Sequence, residues 1–189
     1  DAMYRAHTLH EPILRPLIYE DPAADTESDL FYVGDSLLAL CVFDPGVTRM
    51  TLRLPTSEHG WYDGSNGWMP GGAEATFDLP AAGAPRALHK AGSVFAEDVS
   101  NDPGHTEPQL LFTVFAQETG AFSREIFFDD GESNAYLQND CTRISFTVLC
   151  RKTCVQVRYY NRGKNAIQPD VRLIDRLNRP LELTKGDEL

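Results

Sequence analysis

The amino-acid sequence predicts a mainly β chain built of antiparallel β-sandwich units, and three observations carry that expectation. Short runs of apolar–polar alternation recur along most of the chain. Twelve prolines and fourteen glycines lie scattered between them and mark frequent turns, which suits short strands better than long helices. One run, residues 37–43, is instead apolar at nearly every position, as expected of a strand buried on both faces.

Taken in order, residues 1–11 form a short helix with Met3, Ala6 and Leu9 near one face, ended by Pro12. Residues 13–19 are an apolar run of strand length, and residues 20–29 are an acidic loop that lacks the glycine-centred spacing of a calcium site. Leu30-Phe31-Tyr32-Val33 follows, then a turn at Gly34-Asp35 and the apolar run 37–43. Beyond Asp44 the texture changes. Met50, Leu52 and Leu54 alternate with Arg49, Thr51 and Arg53; Ala73, Ala75, Phe77 and Leu79 alternate with Glu74, Thr76 and Asp78. Residues 110–116 alternate more weakly. Ile144, Phe146, Val148 and Cys150 alternate with Arg143, Ser145 and Thr147, and after a turn at 151–153 the pattern resumes in Val155, Val157 and Tyr159. Each reads as a strand with one wet face in an antiparallel meander. The polar, aperiodic stretch 97–108, with Pro103-Gly104, is the expected boundary between two β units.

Composition narrows the function. The chain has 189 residues and 42% hydrophobic residues, enough for one large or two small cored domains. A net charge of −11 without a basic stripe argues against nucleic acid. No apolar run nears the ~20 residues of a bilayer-spanning helix. No charged-then-apolar leader opens the chain, which leaves the compartment open with the cytoplasm favoured. The first residue is Asp, so a processed or excised N-terminus is expected. Cys41, Cys141, Cys150 and Cys154 form no C-x-x-C pair; buried free thiols are expected, with oxidation of Cys141 to Cys150 or Cys154 left open.

Few residues offer chemistry. His7, His10, His59, His89 and His105 are scattered, without the clustered histidines a cupin-type metal enzyme needs, so neither metal nor cofactor is expected. Asp129 and Asp130 are adjacent and would face opposite ways on a strand; before Gly131 they read as turn formers. Trp61, Tyr62 and Trp68 surround Asp63-Gly64-Ser65-Asn66-Gly67. Such aromatics stack on sugar rings when displayed from a loop, or simply fill a core.

Several segments, in order, resemble the C-terminal third of family 31 glycoside hydrolases, the α-glucosidases and α-xylosidases. Pro12-Ile13-Leu14-Arg15-Pro16-Leu17-Ile18-Tyr19 is similar to that family's "P-v-x-R-P-L-f-x-e". Asp29-Leu30-Phe31-Tyr32-Val33-Gly34-Asp35-Ser36-Leu37-Leu38 resembles "D-x-Q-F-l-x-G-d-s-L-L", though without the glutamine. Leu54-Pro55, Gly60-Trp61-Tyr62-Asp63 and Gly71-Gly72 resemble "y-L-P-x-G-x-W-Y-D … G-G". Lys90-Ala91-Gly92-Ser93-Val94 resembles "R-a-G-s-I" with lysine for arginine, and residues 127–136 resemble "l-Y-e-D-D-G-e-s-x-x-Y". Leu40 and Cys41 stand where the family has alanine and proline, and together these departures imply a divergent member or a copy no longer held to the active-site geometry.

The resemblance implies a short α/β barrel remnant over residues 1–45, a proximal β-sandwich-like unit over 46–100 and a distal one over 101–189. Retaining glycoside hydrolysis needs two carboxylates ~5–5.5 Å apart. The family carries both upstream of anything matched here, so no catalytic residue is expected in this chain. The expected role is a non-catalytic, accessory or structural portion of an α-glycosidase-like protein. The alternative is a carbohydrate-binding module using Trp61, Tyr62 and Trp68, and an unrelated β-sandwich enzyme is a third class. Lacking barrel neighbours, residues 1–45 are expected either to fold back on the chain's own sandwich or, the favoured outcome, to pair with a second copy in a homodimer.

Overall fold

Prolines and glycines set the first elements. Pro12 follows helix α1 (Ala2–Leu9), and Pro16 ends strand β1 (Leu14–Pro16), where the chain tightens into a single 3-10 turn, Leu17–Tyr19. The predicted strand 13–19 is therefore two shorter pieces. Gly34, at φ +68°, turns β2 (Leu30–Val33) into β3 (Leu37–Leu40). The computed structural model describes residues 2–22, 24, 29–42, 44–64, 67–79, 85–100, 109–129, 133–138, 140–163 and 167–186. It is mainly β, with β-sandwich packing, as the alternation predicts.

The chain divides into two compact units, residues 2–91 and residues 92–189. The sequence reading set boundaries at 45 and 100 instead. Two pairings draw the units differently. Strand β3 is hydrogen-bonded to β8 (Arg86–Lys90), which ties the leading segment into the sheet that follows it. Strand β9 (Ser93–Asp98) pairs with β10 (Leu110–Phe115), which carries it into the second unit. Residues 101–108, the core of the expected boundary, lie outside the described residues.

In the first unit, β5 (Trp61–Asp63) and β6 (Gly67–Met69) complete a six-stranded sheet in the order β1-β2-β3-β8-β5-β6, antiparallel throughout. Strands β4 (Arg49–Arg53) and β7 (Glu74–Asp78) form a separate antiparallel ribbon. One sheet face supplies Leu30, Tyr32, Leu38, Leu40, Trp61 and Leu88 to a core completed by Leu17, Leu54, Phe77 and Leu79. The run 37–43 is thus buried on one face only: Leu38 and Leu40 are 0% and 1% exposed, while Leu37 and Ala39 stay partly open. The segment is paired into the chain's own sheet through β3 and β8, and its buried side chains pack with Leu17, Leu54, Phe77 and Leu79. Helix α1 buries none of its residues, and of the three apolar side chains near one face Met3 and Leu9 are exposed.

Arg15 is the ionic anchor of this unit. Its side chain, 6% exposed, donates to Glu11 at 2.9 Å, to Glu20 at 2.7 Å and to the Pro12 carbonyl at 2.9 Å. Burial works against its charge, but the carboxylates of Glu20 and Glu11 outweigh that and raise its pKa. Burial also pushes the Tyr32 phenol up to about 12, with Glu20 and Asp21 adding to the shift.

The second unit is a sandwich of two sheets, joined in sequence by the step from β10 to β11 (Gly120–Phe128). One has the order β14-β10-β9 and the other β11-β12-β13-β15, with β12 (Thr142–Cys150), β13 (Val155–Arg162), β14 (Asp170–Ile174) and β15 (Leu181–Lys185). Two pairings depart from a pure antiparallel meander: β10 with β14 and β13 with β15 are parallel. Phe112, Val114, Ile144, Phe146, Val148, Val155 and Val157 are fully enclosed, and the rings of Phe112 and Phe146 lie 5.0 Å apart. All four cysteines are free thiols, three of them buried.

Candidate functional site

The three aromatics singled out by the sequence converge on the β5–β6 hairpin, but the strand pleat sends them different ways. Trp61 and Tyr62 are neighbours on β5 and therefore face opposite sides of the sheet. Trp61 points into the core. It is 0% exposed, its indole N–H donates to the Pro55 carbonyl at 3.1 Å, and its ring lies 5.9 Å from that of Tyr32. Tyr62 is 3% exposed on the other face, directly across from His89 on one side and Trp68 on the other. Trp68 is the partly exposed member, with its indole N–H donating to the His59 carbonyl at 2.9 Å.

The glycines of the motif explain this packing. Gly60 has φ +81°, and a Cβ there would stand 2.4 Å from the Met69 carbonyl and 2.7 Å from the Trp68 indole. A Cβ on Gly71 would stand 2.2 Å from the Ser57 backbone nitrogen. The loop before β5 and the turn after β6 are therefore pressed together with no room for a side chain. Ser57 closes the loop, accepting from the Gly60 N–H at 3.2 Å.

Asp63 and Arg86 lock the hairpin to β8. The guanidinium Nε and Nη2 of Arg86 donate to the Asp63 carboxylate at 3.0 and 2.5 Å, while Nη1 donates to the Asp78 carbonyl at 2.6 Å. The Asp63 bond raises the Arg86 pKa against the opposing effect of burial. Sequence reasoning missed this clamp, because the partners are 23 residues apart and meet only through the β5–β8 pairing.

Chemically, the arrangement offers packing and one half-open indole. Among the described residues no cluster of three or more His, Cys, Asp or Glu side chains is arranged to hold a metal. Among the described residues, the carboxylates displaced from their ordinary range, Asp175 and Glu182, are both shifted down, away from the raised value a proton donor needs. Asp129 lies just past β11, and Asp130 falls outside the described residues.

Such a fold and site define the class: a β-sandwich chain in which Trp61 and Tyr62 are buried and Trp68 is partly exposed. Residues 10–95 match the family described as Glycosyl hydrolase family 31 C-terminal domain. Over that span the chain belongs to family 31. It is 30% identical over 137 residues to intestinal sucrase-isomaltase of Rattus norvegicus, covering 69% of this chain and 7% of that protein. It is 31% identical over 144 residues to neutral α-glucosidase C of Macaca fascicularis, covering 71% of this chain and 18% of that one. Among solved structures, the family 31 α-xylosidase of Xanthomonas citri superposes with a TM-score of 0.73 at 18% identity, over 91% of this chain and 19% of that one. The family 31 dextranase of Flavobacterium johnsoniae gives 0.71 at 23% identity, over 82% and 20%. The chain therefore spans less than a fifth of these two curated relatives and about a fifth of these two structures.

Proposed function

We propose that this chain serves as a non-catalytic, structural C-terminal β-sandwich portion of a family 31 α-glycosidase-like protein, with an accessory role in carbohydrate metabolism. The observation that carries this reading is the burial of Trp61 and Tyr62, which leaves neither ring open to stack on a sugar. The family's two catalytic carboxylates belong to segments that nothing in this chain matches. Turnover of aryl α-glucosides and α-xylosides by the isolated chain is expected to equal that of buffer. Activity that disappears on changing one carboxylate would overturn the reading.

One observation favours a second reading. Trp68 keeps part of its ring open beside His59, whose side chain is 31% exposed, and an open indole is a stacking surface for a sugar. Titration with α- and β-glucans then quenches tryptophan emission in the wild type and not in Trp68→Ala. No response to any glucan leaves the structural role alone.

A further inference from the structure

We draw no further inference here: the strongest candidate, the arginine-bearing outer face of the β11-β12-β13-β15 sheet, where Arg143 on β12 stands opposite Arg162 on the strand that also carries Arg158 and Tyr160, carries nothing, because nothing in the structure shows what covers that face in a chain that spans about a fifth of the structures it superposes on.

Discussion

Arg179 does at one position what no apolar side chain can do in the second unit. Its side chain is 4% exposed, and it donates to both oxygens of Asp175, to the carbonyls of Gln117 and Glu118, and to that of Arg151. Three separated segments are thereby joined through one guanidinium, with every carbonyl satisfied. Burial pushes the Asp175 carboxyl up, but the hydrogen bonds from Arg179 and from the backbone N–H groups of Arg179 and Leu177 outweigh it and hold its pKa down. A carboxyl depressed in the folded state favours folding above its unfolded pKa, and that contribution is lost as pH falls through its folded value. Acid unfolding below about pH 4 is therefore expected to be shallower in Asp175→Asn, measured by circular dichroism against pH. Arg179→Met leaves Asp175 and three carbonyls enclosed without a donor, and is expected to cost about 3–5 kcal/mol in urea unfolding. A loss under ~1 kcal/mol would show that water replaces the guanidinium at no penalty.

At the scale of elements, the β5–β6 hairpin stands because three constraints coincide: a positive φ at Gly60, the approach of Gly71 to Ser57, and the Asp63–Arg86 clamp. Gly60→Ala is expected to destabilise the first unit by about 2–3 kcal/mol and to red-shift tryptophan emission, since the new methyl displaces the Trp68 indole. Wild-type emission in a folded Gly60→Ala would mean that the loop moves instead of the ring. The alternation at 49–54 and 73–79 gave β4 and β7, whereas around Trp61, Tyr62 and Trp68 the sequence showed a glycine-containing loop and no strand period. The burial of Trp61 against Pro55 was not legible, because a tryptophan beside a glycine-rich turn reads equally as a platform or a plug until its strand partners are known. Residues 37–43 misled for a related reason. Composition showed that both faces are apolar, whereas which face is covered depends on side chains distant in sequence, Leu17, Leu54, Phe77 and Leu79, that pack on it. Strands β8, β14 and β15 were not singled out, since each is five residues long and of their positions Leu88 alone is buried.

For the whole molecule, the two units carry different reporters. Both tryptophans, Trp61 and Trp68, belong to residues 2–91, and residues 92–189 contain none. Tryptophan emission therefore follows the first unit alone, while far-ultraviolet circular dichroism follows both. Units with separate cores are expected to give transitions that do not coincide in urea, with Arg179→Met shifting only the circular dichroism curve. Superimposable curves in both proteins would show one cooperative block. The parallel strands of the second unit carry a consequence of another kind. Strand β14 joins the sheet of β9 and β10, and β15, seven residues later, joins the sheet of β11 to β13. Neither sheet has its last edge until residues 170–185 arrive, and β14 reaches its neighbour β10 only after the chain has travelled some sixty residues. Closing loops of that size is slow relative to hairpin formation. During synthesis the first unit can thus settle while the second waits, its strand edges open to a chaperone or to a neighbouring nascent chain.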